Sequence, residues 1–133
     1  MSTLGVLSFY TILIIGLAQC TSAPNQKVED LSVQEFKALV DQTPIKILLD
    51  VRTDGEVAQG IIPGAIQADF LEDSFQQKVA ALDKNKPVFV YCAVGGRSSN
   101  AAKQLSDMGF KKVYNTMGGM NAWKAADYPI AKK

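Results

Sequence analysis

Cys92 could act as a nucleophile, and Arg97 lies close enough in the sequence to support it. The residues between them form a short turn, and in order they are Ala93, Val94, Gly95 and Gly96. The two glycines can aim successive backbone N–H groups inward, which builds an anion-binding nest. Arg97 would add a cation with a planar fork of donors. Because these groups stabilise a thiolate, we predict a reactive Cys92. The alternative is a small apolar cysteine beside a glycine turn.

The elements on either side of this turn must position it. The apolar run Val88–Tyr91 follows Pro87 and predicts a buried strand. From Ser98 to Met108, apolar residues recur at helical spacing, and Gly109 marks the end of the helix. A strand that turns directly into a helix places its first loop residue, Cys92, against unpaired helix amides.

Composition excludes several other kinds of site. The 133 residues contain no histidine, so a Cys–His pair, a Ser–His–Asp triad and a histidine metal site are excluded. We expect no metal and no cofactor. The formal net charge is +1 and the charges are scattered, so we expect no nucleic-acid partner.

The remaining pattern predicts an α/β domain with a mostly parallel sheet. Ser32 and Glu35 form a capping box that starts a helix. Further strands are predicted at Ile45–Leu49 and Val113–Tyr114, and the strands alternate with helices. Sites in such sheets form at the carboxyl ends of the strands, where Cys92 lies.

Asp50, Arg52 and Glu56 follow the predicted strand Ile45–Leu49. They could bind substrate directly, but we favour a structural cluster in which Arg52 pairs with Glu56 and Asp50 holds loop amides. Trp123 is predicted to be a core residue. The segment from Met117 to Met120 could wall the active pocket or form a tight turn, and the sequence leaves both possibilities open.

The segment from Cys92 to Ser98 resembles the active loop of single-domain rhodaneses, which are sulfurtransferases that carry sulfur as a cysteine persulfide. Other motifs of that family occur in the same order: Leu49-Asp50-Val51-Arg52, Glu56, Gly60 to Ile66, Gly109-Phe110, Val113-Tyr114-Asn115, Gly118-Gly119, Trp123 and Tyr128-Pro129. The resemblance covers nearly all of Val28 to Ile130. It implies a single rhodanese-like domain with a five-stranded central sheet flanked by helices.

The resemblance also implies an activity. Cys92 would take sulfane sulfur from thiosulfate or a polysulfide and pass it to cyanide or a thiol, in a monomeric enzyme of the thiosulfate:cyanide sulfurtransferase class. The active loop would comprise Ala93, Val94, Gly95, Gly96, Arg97 and Ser98. Many relatives have a basic residue where Ala93 stands, which makes thiosulfate a less certain donor. The alternatives are a persulfide carrier or sensor, and a cysteine phosphatase or arsenate reductase, whose loops are one residue longer.

The first 27 residues predict export. Residues 1–19 contain no charged side chain, and the mostly apolar run Leu4–Ala18 is shorter than the ~20 residues of a membrane span. Leu17-Ala18-Gln19-Cys20 resembles a bacterial lipoprotein signal. We therefore expect a signal peptide at 1–19, a lipid-attachment Cys20 and tether at 20–27, and the domain at 28–133, anchored in the bacterial envelope or periplasm by lipid alone. Cleavage near Ala23 and an uncleaved anchor are the alternatives.

Overall fold

The computed structural model describes residues 28–133. The predicted signal peptide, Cys20 and the tether lie outside these residues. Five strands and five helices alternate along the described chain: β1 Val28–Leu31, α1 Val33–Gln42, β2 Ile47–Asp50, α2 Asp54–Ala58, β3 Ile66–Gln67, α3 Phe75–Ala80, β4 Val88–Tyr91, α4 Gly96–Asp107, β5 Val113–Thr116 and α5 Gly119–Ala125. No helix in residues 28–133 is both long enough and apolar enough to cross a bilayer.

The five strands form one parallel sheet in the order β1-β5-β4-β2-β3. The predicted five-stranded α/β fold is confirmed. Strand β4 is central, with all four of its residues buried, as its continuous apolar sequence requires. Since all strands run in one direction, their carboxyl ends share one edge of the sheet. The residues that follow β4, β2 and β5 therefore meet at this edge.

Helices cover both faces of the sheet. On one face, α3 and α4 pack Phe75, Val79 and Leu105 against the sheet. On the other, α1 and α5 pack Phe36 and Trp123 against it. Trp123 is 2% exposed, which confirms its predicted place in the core. The active loop is thus held between two packed layers.

Most element boundaries agree with local sequence signals. The Ser32–Glu35 capping box is present and starts α1. Gly109 lies just beyond α4 with φ +97°, a conformation that favours glycine. The predicted start of β2 at Ile45 was wrong: Ile45 is 69% exposed, and the ladder begins at Ile47, where pairing with β4 starts. Strand β5 continues two residues past Tyr114 because it also pairs with β1.

Candidate active site

Cys92 follows β4 directly and lies at the carboxyl edge of the sheet. It is 1% exposed, and it is the only cysteine among residues 28–133, where it forms no disulfide. The Gly95 N–H donates to Cys92 Sγ at 3.0 Å. Gly95 has φ +118°, a backbone conformation that an L side chain rarely adopts. The glycine thus allows the loop to fold back over the sulfur and present an amide to it.

Hydrogen bonds to Cys92 favour its thiolate form. Burial raises the pKa of the thiol, but the Ser98 hydroxyl and the backbone N–H groups of Ser98, Gly95 and Val94 outweigh burial, so the pKa is lowered from its ordinary value. The hydrogen bonds therefore favour the anionic form of this buried sulfur. Such a sulfur is a good nucleophile, and the same donors can hold a further anionic sulfur atom.

Ser98 was predicted as part of the active loop, but its role as a hydrogen-bond donor to Cys92 was not predicted from the sequence. It lies in the first turn of α4, is fully buried, and its Oγ is 3.2 Å from the Gly95 carbonyl oxygen. Its single hydroxyl proton can be donated to that carbonyl or to the Cys92 thiolate. The available signal was its position, since side chains in the first turn of a helix can reach the loop that precedes it.

Arg97 does not offer a free cation to the loop. Its Nη1 and Nη2 donate to the two carboxylate oxygens of Glu56 at 2.8 and 2.7 Å. Glu56 also completes a capping box with Thr53 at the start of α2. The Arg97 guanidinium lowers the pKa of Glu56 to about 2. The ion pair therefore links the active loop to α2, and its net charge is close to zero.

The predicted pairing of Arg52 with the Glu56 carboxylate was wrong. Arg52 pairs with Asp50, where its Nη2 donates to Oδ2 at 2.8 Å, and both side chains are almost completely buried. Arg52 Nη2 also donates to the Gly60 carbonyl at 2.7 Å, and its backbone N–H donates to Asp50 Oδ1 at 3.0 Å. A buried pair satisfied in this way fixes the loop that carries Glu56.

The start of α5 supports the active loop from the other side. The Met120 N–H donates to the Cys92 carbonyl at 2.8 Å, and the Asn121 N–H donates to the Ala93 carbonyl at 3.0 Å. A Cβ placed on Gly119, which has φ +51°, would be 2.3 Å from the Cys92 carbonyl oxygen. Gly119 therefore permits the close approach that these two hydrogen bonds need.

The segment from Met117 to Met120 combines the two roles that the sequence left open. Met117 is 53% exposed and lines a groove beside Val94 and Gly95 of the loop. Met120 is 1% exposed and packs in the core. Val94 is 64% exposed, so the mouth of the active loop presents apolar side chains.

Residues 28–133 contain no cluster of three or more His, Cys, Asp or Glu residues that could hold a metal ion.

Comparison with known proteins identifies the domain. A family model described as the rhodanese-like domain matches residues 32–126. YtwF of Bacillus subtilis is 36% identical over 103 residues, which are 77% of this chain and 97% of that protein. A sulfurtransferase of Allochromatium vinosum is 31% identical, with 77% and 94% of the two chains covered. The polysulfide-sulfur transferase homodimer of Wolinella succinogenes has a similar structure, with TM-score 0.66, 30% identity and 80% of each chain covered.

Proposed function

The chain belongs to the rhodanese-like domain family, and from that premise we propose that it is a sulfurtransferase working through a Cys92 persulfide. The observation that carries the proposal is the buried Cys92 sulfur, which accepts the Gly95 N–H at 3.0 Å and whose pKa is lowered by surrounding donors. The naming of the Allochromatium relative as a sulfurtransferase supports the same reaction class.

The proposed cycle has two balanced steps. The Cys92 thiolate attacks the outer sulfur of thiosulfate or a polysulfide, a sulfur–sulfur bond forms at Cys92, and sulfite or the shortened polysulfide leaves with its electron pair. An acceptor, cyanide or a thiolate, then attacks the outer sulfur of the persulfide and releases the Cys92 thiolate. In both steps the Gly95 amide and the Ser98 hydroxyl stabilise the anionic sulfur that Cys92 carries.

We propose that a polysulfide serves better than thiosulfate as donor. Thiosulfate is a compact dianion, whereas Arg97 is neutralised by Glu56 and the loop mouth presents exposed Val94 and Met117. Ala93 also supplies no charge where many relatives have a basic residue. The name of the Wolinella neighbour, a polysulfide-sulfur transferase, is consistent with this donor class.

A donor and acceptor screen on the purified domain tests this function. We expect the wild type to transfer sulfur from polysulfide to cyanide faster than from thiosulfate, and we expect Cys92→Ser to transfer none. Circular dichroism provides the folding control for Cys92→Ser. Sulfur transfer by the folded Cys92→Ser variant would refute the assignment, because residues 28–133 contain no other thiol.

We further propose that the domain is exported and lipid-anchored at Cys20, on the strength of Leu17-Ala18-Gln19-Cys20. At least two acyl chains are needed for stable anchoring. Membrane fractionation of Cys20→Ala in a bacterial host tests this. A variant that stays membrane-bound with its first 19 residues attached would indicate an uncleaved anchor instead.

A further inference from the structure

A groove of about 260 Å³ opens beside the active loop. We call it the Asn115 groove, and its lining includes Asp30, Val94, Gly95, Ser99, Asn115 and Met117. Gly95 is shared with the thiolate site, because its N–H donates to Cys92 Sγ. A molecule bound in the groove would therefore lie next to the loop that holds the reactive sulfur.

Asn115 carries an unsatisfied buried acceptor in this groove. The side chain is 3% exposed, and its Nδ2 donates to Asp30 Oδ1 at 2.9 Å. Rotating the amide would place its oxygen against the carboxylate, so this bond fixes its orientation. Asn115 Oδ1 has no hydrogen-bond partner. Among the buried side-chain N and O atoms of residues 28–133, it is the only one without a partner. A buried acceptor without a donor is unfavourable, and a ligand N–H that reaches it from the groove would supply the missing hydrogen bond.

The charge and polarity around Asn115 define the ligand further. Within the described chain, the ion pairs do not include Asp30, so its carboxylate lacks a cationic partner there. Val94 and Met117 add exposed apolar surface on the side toward the loop. A group with several N–H donors, a positive charge and a short apolar arm matches all of these features. A primary ammonium on a short carbon chain is the simplest such group.

We propose that the Asn115 groove binds the ammonium group of a small aminothiol that accepts sulfur from Cys92, an inference that rests on the proposed function. The ammonium donates to the Asp30 carboxylate and to Asn115 Oδ1. Its thiolate attacks the outer sulfur of the Cys92 persulfide, a new sulfur–sulfur bond forms, and Cys92 leaves as thiolate. The acceptor thiol gives up its proton to solvent when it forms the thiolate, and the product persulfide can take up a proton again. One sulfur–sulfur bond replaces another, so the step needs no oxidant or reductant.

Three thiols of similar size and different charge test the proposal: cysteamine, 2-mercaptoethanol and mercaptoacetate. Each accepts sulfur from the preformed Cys92 persulfide of wild type, Asp30→Asn and Asp107→Asn. Asp107 is an exposed carboxylate at the far end of α4, so its variant controls for net charge. Comparing each variant with wild type for the same thiol cancels differences in intrinsic reactivity.

We expect Asp30→Asn to reduce kcat/KM for cysteamine by up to about fivefold, the upper limit for an exposed ion pair. The value for mercaptoethanol should be unchanged, and that for mercaptoacetate unchanged or higher. Asp107→Asn should alter none of the three. The cysteamine preference should weaken at about 0.5 M salt, because screening shortens the reach of the Asp30 charge. Equal changes for all three thiols would overturn the proposal.

Asn115→Leu supplies a second variant that separates binding from folding. It removes the unsatisfied oxygen and also the hydrogen bond to Asp30, whose exposed carboxylate can accept from water instead, so we expect a melting temperature close to that of the wild type. The same variant should lose the cysteamine preference. A retained preference would show that Asn115 does not contact the acceptor.

Ethanolamine, which lacks sulfur, tests the groove independently of any sulfur chemistry. In NMR titrations of the wild type it should shift the Asn115 side-chain amide signals saturably, whereas ethylene glycol should not. No saturable shift would refute the ammonium site. If ethanolamine binds but Cys92 never carries sulfur, the proposed function fails and the ammonium site stands.

Discussion

Gly119→Ala tests the contact between α5 and the active loop. The added Cβ would be 2.3 Å from the Cys92 carbonyl oxygen and 2.8 Å from the Ala93 carbonyl carbon and oxygen. Backbone atoms cannot rotate away as a side chain would, so α5 and the loop must separate by nearly 1 Å. The hydrogen bonds from Met120 and Asn121 to these carbonyls would then weaken or break.

The cost has two parts that a control variant separates. A left-handed backbone costs alanine about 1 kcal/mol, and loss of two hydrogen bonds adds about 1 kcal/mol each. Gly64→Ala is the matched control, since Gly64 also has positive φ, +86°, but its added Cβ would meet no atom within 4 Å. We therefore expect a loss of about 1 kcal/mol for Gly64→Ala and about 3 kcal/mol for Gly119→Ala.

Urea denaturation measures both free energies of unfolding, and alkylation by iodoacetamide at several pH values measures Cys92 reactivity. Gly119→Ala should also slow the loading of sulfur on Cys92, because the carbonyls that it displaces belong to the active loop. Gly64→Ala should load at the wild-type rate. The reasoning is refuted if Gly119→Ala is no less stable than Gly64→Ala and reacts like the wild type.

Three further changes probe the loop and its ion pair. Ser98→Ala should raise the pKa of Cys92 and slow its alkylation at neutral pH roughly tenfold, since a hydrogen bond to a charged group is lost; an unchanged pH profile would exclude the hydroxyl as a donor. Glu56→Gln should cost about 1 kcal/mol at neutral pH. Because the pKa of Glu56 is lowered from 4.5 to about 2, this difference should be complete above 4.5 and disappear as pH falls through about 2; a constant difference in acid denaturation would contradict the ion pair. Arg97→Lys should reduce both stability and kcat/KM, since lysine loses the two-point contact with Glu56; unchanged kinetics would assign Arg97 no role in the loop.

The fold and the position of Cys92 at the edge of the sheet could be predicted because their signals are local. The apolar Val88–Tyr91 run predicts the central strand, and the glycines after Cys92 predict a turn into a helix. In a parallel sheet, strand direction alone then places Cys92 at the carboxyl edge. Each of these steps needs only a few neighbouring residues.

The partners within the site depend on contacts between distant segments. Arg97 and Glu56 are 41 residues apart, and their pairing is decided by where α2 and α4 pack. Arg52 could have paired with either Asp50 or Glu56, and sequence spacing does not distinguish these carboxylates. The close approach of Gly119 to the Cys92 carbonyl likewise requires β4, β5 and α5 to be in place. The glycine pair was visible in the sequence, but the atoms it approaches were not.

Intact-mass spectrometry after polysulfide treatment is the most direct test of the proposed persulfide. The wild-type domain should gain the mass of one sulfur atom on Cys92 and lose it when cyanide or a thiol is added. Cys92→Ser should gain none under the same conditions. If no acceptor-labile sulfur forms on Cys92 with polysulfide or thiosulfate, while the same protein hydrolyses an aryl phosphate, the sulfurtransferase account is contradicted.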